Sequence, residues 1–443
     1  MRNRPLREIA KRMGLECDEE VQVSGYQVDS RRIESGELFF ALTGAKVDGH
    51  AFLADVAARG GVAAVVSASY TGPNFGLSLL VVSDVLVCLQ KLARDFLAES
   101  NAVVVGITGS MGKTTTKDFT ATLLEGKFKV GKTYSSYNTR LTLPITILNL
   151  VGDEEVVVLE MGMGEPGDIA KLVSIAPLDI AVLTNVTMAH YGDIFPDGAY
   201  GVAKAKAEIF SSSKLKKAIF YHELDLKMDD RVNCEKMSFS LKNPAADYFL
   251  CDGMVDERGI RAHRFAIPFT QPHVHHNFLA AVSVARALGM DWCEIDRQLP
   301  KLKLPKMRFE QFEREGVIFV NDAYNANPES MKAALSCFPN PRSRGKRIAV
   351  LGRMVDLGPF SVCSHKEVGQ FAREYADHLI TLGNEAKPLY EAFAEGMKPA
   401  EHYNDLTEVI ARLKELMAPG DVVLVKGSRD LAMETIFDKL KET

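Results

Sequence analysis

Apolar positions along the chain fall into two patterns. Short uninterrupted runs rich in Val, Ile and Leu predict strands buried on both faces, and stretches with apolar residues three and four apart predict the helices between them. ELFFAL (37–42), VAAVVS (62–67) and SLLVVS (78–83) read as strands, with helices over 51–59 and from Val85 to about Ala98. A second group opens with the strand 102–107 and continues through VVVLEMG (156–162) and DIAVLTNV (179–186). It ends in a helix, HNFLAAVSVARALGM (276–290), closed by Gly289. PKLKLPKM (300–307), rich in proline and lysine, breaks the pattern and marks a boundary. Beyond it GVIFVNDAY (316–324), a helix after Pro328, KRIAVLG (346–352), HLITLG (378–383) and VVLVKG (422–427) alternate again. Strands separated by helical stretches imply parallel sheets with crossover helices, and 443 residues are too many for one core. The expectation is an α/β protein of three units: a small N-terminal α/β unit (1–98), a central parallel-sheet unit with a phosphate loop (99–299), and a Rossmann-like C-terminal unit (300–443).

Composition narrows the class. With 47% hydrophobic and 25% charged residues and a formal net charge of −5, the chain has no broad basic surface, so nucleic acid is not an expected partner. The seven cysteines, Cys17, Cys88, Cys234, Cys251, Cys293, Cys337 and Cys363, are scattered without a CxxC pair and read as reduced thiols of a cytoplasmic protein. MRNRPLREIAKRMG at the N-terminus lacks an apolar h-region, and nowhere do about 18 uncharged apolar residues run together. Neither export nor a membrane span is expected. Peripheral association with a membrane enzyme stays open.

The chemistry begins at AVVVGITGSMGKTTTKD (102–118). Gly106 through Thr114 gives G-x-x-G-x-x-G-K-T between a strand and a helix, the last part of a Walker A pattern. Gly109, Ser110, Met111 and Gly112 would turn backbone N–H groups toward nucleotide phosphates, with Thr115 behind them at the positive end of the helix. Lys113 would neutralise β- and γ-phosphate oxygens, and the Thr114 hydroxyl would ligate Mg²⁺. The plainer alternative is a Gly-rich turn carrying an exposed lysine. Glu160, ending an apolar strand, lies where a parallel sheet presents its carboxyl edge to a ligand, as a metal carboxylate or a structural ion pair. His190, just past the next strand, shares that edge by the same logic and could equally be structural.

Seven segments in order, GITGSMGKTTTKD, VLEMGMGEPGDI, LTNVTMAHYGD, AKAKAEIF, NFLAA, NDAYNANPESMKAAL and LVKGSR, resemble the Mur ligase family. VDSRRIESGELFFALTGAKVDGHAF (28–52) resembles that family's N-terminal module for a UDP sugar, so the resemblance spans all three units. Tyr324, Asn325, Asn327 and Pro328 resemble the SYNANP loop of the dipeptide-adding type, whereas the D-N-P-R-type loop of the diaminopimelate-adding type is absent. The resemblance implies that the terminal carboxylate of UDP-MurNAc-tripeptide attacks the γ-phosphate of ATP. The amine of D-Ala-D-Ala would then displace phosphate from the acyl phosphate to give UDP-MurNAc-pentapeptide, in peptidoglycan precursor synthesis.

By the same resemblance Lys113, Lys206, His190 and Arg308 are catalytic. Glu160 and Thr114 would hold a first Mg²⁺, His190 a second, and Lys206 would be the family's carbamylated lysine. Without the resemblance, Lys204 and Lys206 are two exposed helix lysines. Asn277 would contact adenine, or cap the helix that follows it. Asp322 would bind ribose, or only form a turn, and Arg308 could be a linker charge. Ser30, Arg31, Asp48, Gly49 and His50 would surround the UDP group. Tyr324, Asn325, Asn327, Lys426, Ser428 and Arg429 would contact the dipeptide. A cytoplasmic monomer is the expected state.

Several positions depart from the family pattern. Met111 stands where asparagine is common, in a loop that uses mainly backbone groups there. Asn138-Thr139 replaces a pair of asparagines and Thr142 a glycine. In the frame LGRMVDLGPFSVCSHKEVG (351–369), which keeps His365, Arg353 replaces a commonly acidic residue and Asp356 a longer one. A related ligase adding a single amino acid is the nearest alternative. A scaffold that binds ATP without chemistry is the other, though mere binding would not need His190 and Lys206. A P-loop kinase or GTPase would leave the three-unit layout unexplained.

Overall fold

The computed structural model describes residues 3–44, 47–187, 195, 198–224, 234–342 and 344–440. Among these, the N-terminal unit carries a parallel sheet with strands Gly25–Gln27, Glu37–Phe40, Ala63–Ser67 and Ser78–Val82 side by side. The helix over Val85–Ala98 falls where its pattern predicts. Asp84 accepts the Val87 N–H at its start, and Val85, Leu89, Leu92, Ala93 and Phe96 make its buried stripe. A short ribbon, Arg4–Pro5 with Gln22–Val23, precedes the sheet.

The central sheet has Val103–Thr108 between Ile180–Leu183 and Val156–Glu160, with Val130–Lys132 at the edge beyond Glu160's strand. These strands run parallel and are almost wholly buried, which is why they read as continuous apolar runs. On the far side Ile180–Leu183 is followed by Lys217–Tyr221, Glu235–Ser240, Tyr248–Cys251, Met254–Glu257 and Ile260–Arg264, the last three antiparallel. The apolar pattern did not reveal this extension, because EKMSFS and IRAHR alternate or stay half-exposed instead of forming apolar runs. The cue lay in the turns. Asp252-Gly253 and Arg258-Gly259 join successive strands with positive φ at both residues, 48° and 75°, then 51° and 78°, the geometry that favours a tight hairpin.

The C-terminal sheet runs in the order Glu310–Arg314, Val317–Asn321, Val422–Lys426, Arg347–Gly352, His378–Leu382, Ala400–Tyr403, parallel except for its first pair. Helices cover both of its faces, giving two apolar clusters around the shared strands. The N-terminal unit and one face of the central sheet share a single apolar cluster, in which Leu89, Leu92 and Phe96 join Leu143, Ile147 and Leu172. On the opposite face of the central sheet, the phosphate-loop helix Lys113–Leu124 and the helix Pro272–Ala287 pack together. This second helix starts before the predicted 276, with Pro272 in its first turn, where a missing N–H costs nothing.

Candidate active site

A cavity of about 930 Å³ lies where the central and C-terminal units meet. Its floor is the phosphate loop, and two glycines there are dictated by crowding. Gly112 has φ 79°, and a Cβ on it would sit 2.1 Å from Asn277 Oδ1; one on Gly109 would sit 1.9 Å from Thr184 Oγ1. Met111 contributes its backbone: its N–H donates to Asn185 Oδ1 at 2.9 Å, and its carbonyl accepts from Thr184 Oγ1 at 2.8 Å and Asn185 Nδ2 at 3.0 Å. The side chain at 111 is therefore free to vary. Ser110 is tied to the backbone of Thr187 at 3.0 Å.

Lys113 donates to the Gly109 carbonyl at 2.8 Å. Burial pushes its ammonium below the usual lysine range, Glu160 opposes that shift, and Arg308 adds to it. Thr114 Oγ1 lies 3.2 Å from Ser136 Oγ and accepts from Arg308 Nη2 at 2.9 Å. The Arg308 guanidinium also lies 4.1 Å from the centre of the Tyr324 ring. It reaches across the junction between units and is no free linker charge.

Glu160 is 1% exposed. One oxygen accepts from Asn138 Nδ2 at 2.6 Å; the other is buried with no hydrogen-bond partner among the described residues. A buried carboxylate oxygen without a hydrogen-bond partner is costly even with the Lys113 and Lys117 charges nearby, so this donor set suits a divalent ion shared with phosphates. No group of three or more His, Cys, Asp or Glu side chains that could hold a metal by itself occurs among the described residues. His190 lies outside the described residues.

Lys204 is exposed as expected of a surface lysine, but Lys206 is 1% exposed, which corrects the plain reading of both as surface lysines. Burial, then the charge of Lys113, holds the Lys206 ammonium well below the usual range. Asn277 is likewise no cap: Gln271 precedes the helix, and Asn277, inside it and 5% exposed, faces the phosphate-loop helix with its Oδ1 3.4 Å from Thr116 Oγ1. Beside it His276 donates through Nε2 to the Thr184 carbonyl at 2.9 Å and packs edge-on to Tyr221.

From the C-terminal unit, Asp322 accepts the Phe309 N–H at 3.0 Å and pairs with Lys426 at 2.7 Å. Lys426 is 3% exposed and also donates to the Asn325 carbonyl at 2.9 Å. Both line the cavity with Tyr324, Asn325 and Asn327. Asn327 also caps the helix Pro328–Ser336, exchanging hydrogen bonds with Ser330. Ser428 and Arg429 do not line the cavity: Ser428 Oγ is fully buried and accepts the Val355 N–H at 3.1 Å, and Arg429 pairs with Glu434.

The N-terminal candidates are also away from the cavity. Arg31 is paired with Asp29 at 2.8 Å beside the half-turn that holds Ser30. Asp48 accepts from the His50 backbone and ring, while His50 Nε2 accepts the Ser67 N–H at 3.0 Å. Gly49 passes so close to Leu42 that a Cβ would sit 2.8 Å from its backbone.

Two supports escaped sequence reasoning. Lys117, 1% exposed, donates to the carbonyls of Thr133 and Ser135 at 3.0 and 2.7 Å and so anchors the segment bearing Ser136 and Asn138. Nothing in TTTKD marks that lysine as buried. Asn185 lies just past the buried strand Ile180–Leu183, on the same edge as Glu160, so the carboxyl-edge logic could have found it. The departures at 139 and 142 compensate each other: the two hydroxyls lie 3.0 Å apart, and each threonine's N–H donates to the other's oxygen at the start of the helix Thr142–Leu148.

Residues 107–285 match the family described as Mur ligase middle domain, 307–429 match Mur ligase, glutamate ligase domain, and 22–96 match Mur ligase family, catalytic domain. The chain is 32% identical over 436 residues to the UDP-N-acetylmuramoyl-tripeptide--D-alanyl-D-alanine ligase of Bacillus subtilis (strain 168), covering 96% of this chain and 94% of that protein. It is 30% identical to the ligase of the same name from Escherichia coli (strain K12), over 96% and 95% of the two chains. Among solved structures, MurF from Acinetobacter baumannii matches with a TM-score of 0.85 at 25% identity over 100% of both chains. MurF from Thermotoga maritima, in complex with ADP, matches with a TM-score of 0.75 at 29% identity over 95% of this chain and 97% of that one. With its phosphate loop, buried Glu160 and Lys206, and an arginine reaching in from a third unit, this chain belongs to the Mur ligase family, among relatives of the MurF type.

Proposed function

We propose that the protein is an ATP-dependent amide-forming ligase that adds D-Ala-D-Ala to UDP-MurNAc-tripeptide in peptidoglycan precursor synthesis. The observation that carries this reading is the convergence of Lys113 and Glu160 from the central unit with Arg308, Asp322 and Tyr324 from the C-terminal unit around one cavity, Arg308 being bonded to Thr114 beside it. A carboxylate oxygen attacks the γ-phosphorus, the bond to ADP breaks, and an acyl phosphate forms. The dipeptide amine attacks the acyl carbon and gives up a proton, and the tetrahedral intermediate expels phosphate. Both steps gather anions, so they need fixed positive charge.

Lys113 releases Gly109 to bind β- and γ-phosphate oxygens, and Arg308 stabilises charge developing on the transferred group. Gly109, Ser110, Met111, Gly112 and Thr115 present backbone N–H groups. Asn277, next to Tyr221 and His276, takes adenine, and Asp322 takes ribose. Thr114 and Glu160 would hold Mg²⁺, with His190 as the family's ligand for a second ion; a bound Mg²⁺ supplies charge neutralisation at the phosphates. A carbamate on Lys206 would turn repulsion from Lys113 into attraction and give a carboxylate-like group at a buried position.

Tyr324, Asn325, Asn327 and Lys426 form the wall offered to the dipeptide, and Ser428 holds the neighbouring lining residue Val355 by accepting its N–H. Ser30, Arg31, Asp48, Gly49 and His50 are assigned to the UDP group, and 1–98, 99–299 and 300–443 to the three functional units. The protein acts in the cytoplasm; no helix among the described residues is long and apolar enough to cross a membrane.

The test is a substrate panel. With ATP, Mg²⁺ and UDP-MurNAc-tripeptide, phosphate release should require D-Ala-D-Ala and yield a pentapeptide product by mass spectrometry. Turnover with single amino acids alone would overturn the reading.

A further inference from the structure

Arg353 stands immediately after the strand Arg347–Gly352, at the carboxyl edge of the C-terminal sheet. Three loops meet there, following the strands Arg347–Gly352, His378–Leu382 and Val422–Lys426. Arg353 touches the other two through its backbone: its N–H donates to the Leu382 carbonyl, and its carbonyl accepts the Ser428 N–H, both at 3.1 Å. Its side chain repeats the connection. Nη1 reaches both Glu385 oxygens at 3.1 and 3.0 Å, and Nη2 pairs with Asp430.

Gly383, at φ 96°, takes a backbone conformation that favours glycine and packs beside the arginine stem, where a Cβ would be in ordinary contact with Arg353 Cδ at 3.4 Å. One planar guanidinium thus spans two carboxylates on separate loops, which a lysine's single ammonium cannot match in geometry. The first loop continues directly into Val355, Asp356 and Leu357, all of which line the cavity. Asp356 adopts φ 61°, a conformation that persists only where surroundings impose it. Two further ties hold the same loop, Met354 N–H to His365 Nε2 at 3.0 Å and Val355 N–H to Ser428 Oγ at 3.1 Å.

We infer that Arg353 is a positioning residue that latches three loops together and so sets the part of the cavity wall formed by Val355, Asp356 and Leu357, which adds to the wall offered to the dipeptide. This rests on reading that wall as the dipeptide's. The side chain is 29% exposed, and its partners are about half exposed, so the ion pairs add little to global stability. Their consequence is local: the placement of residues 355–357.

Arg353→Gln should raise the KM for D-Ala-D-Ala roughly tenfold, as expected when a binding wall shifts by a fraction of an ångström, while the KM values for ATP and UDP-MurNAc-tripeptide stay within about twofold. Arg353→Lys, which keeps the charge and loses the two-carboxylate span, should fall between Arg353→Gln and the unaltered enzyme. Hydrogen exchange of amides 353–358 should quicken in Arg353→Gln, with the melting temperature nearly unchanged. That readout does not depend on the substrate. An unaltered enzyme that ignores D-Ala-D-Ala would sink the functional reading alone. Unchanged exchange at 353–358, or an equal rise in all three KM values, would overturn the latch.

Discussion

Arg308 Nη2 donates to Thr114 Oγ1 at 2.9 Å across 194 residues of sequence, joining the C-terminal unit to the first turn of the phosphate-loop helix. Thr114, the residue to which the proposed function gives a Mg²⁺-binding role, is thus also a docking point of the neighbouring unit. On the proposed function, nucleotide entry would exchange this hydrogen bond for one to phosphate and so couple ATP binding to the arrangement of the two units.

Arg308→Ala should lower kcat about a hundredfold, the usual scale for removing a charge stabiliser from a transition state. The KM for UDP-MurNAc-tripeptide should move much less. Arg308→Lys should restore only a little, since a single ammonium neither stacks on Tyr324 nor forks to two oxygens. Steady-state phosphate release decides it, and a full rescue by lysine would refute the role.

Gly112→Ala should abolish ATP binding while sparing the N-terminal unit. The added methyl meets Asn277 Oδ1 at 2.1 Å, and φ 79° is strained for alanine. Calorimetric titration with a non-hydrolysable ATP analogue should show no heat at concentrations that saturate the unaltered protein. Binding of UDP-MurNAc-tripeptide should persist. Met111→Asn, by contrast, should change little, because both backbone groups of Met111 stay bonded to Asn185.

Asn138 holds one Glu160 oxygen at 2.6 Å and leaves the other open. Removing such a support from a metal-binding carboxylate weakens metal affinity by about 10- to 100-fold. Asn138→Ala should accordingly raise the Mg²⁺ concentration for half-maximal activity by about that factor, with turnover largely recovered at high Mg²⁺. A Mg²⁺ titration at saturating ATP that superimposes on the unaltered enzyme would count against Glu160 as a ligand.

His365 is fully buried and neutral by geometry: Nδ1–H donates to the Ser361 carbonyl at 2.7 Å, and Nε2 accepts the Met354 N–H at 3.0 Å. Burial pushes its pKa down, against opposing contributions from that carbonyl and from Glu385. A histidine with a lowered folded pKa binds its proton more readily when unfolded. Its stabilising contribution is complete above about pH 6.5 and is lost as pH falls below that value. Melting temperatures measured from pH 7.5 to 5.5 should fall less steeply for His365→Gln than for the unaltered protein; His273, His276, His378 and His402 shift in the same direction and leave a residual slope in both.

The strands buried on both faces, such as VVVGIT and VVVLE, were legible because apolar runs announce them. The phosphate loop was legible because its glycines and lysine follow such a strand directly. Of the strands from Lys217 to Arg264, Ile260–Arg264 lies half-exposed or exposed at the sheet's edge, and Glu235–Ser240, though buried over its last four residues, alternates apolar and polar residues in EKMSFS instead of forming an apolar run. The exposure of Lys206 was misread for a related reason. Helical spacing in AKAKAEIF puts Lys204 and Lys206 on different faces, and only packing decides which face is covered.

By itself, the sequence determined the α/β class, the phosphate-binding loop and the family, because periodicity, glycine placement and ordered motifs are local properties of a chain. Tertiary structure alone decided that Arg308 reaches Thr114, that Lys206 is buried beside Lys113, and that Arg353 ties Glu385 to Asp430. Those are distances between residues far apart in the chain, set by how sheets and helices pack, and no pattern of neighbours along a sequence encodes them directly.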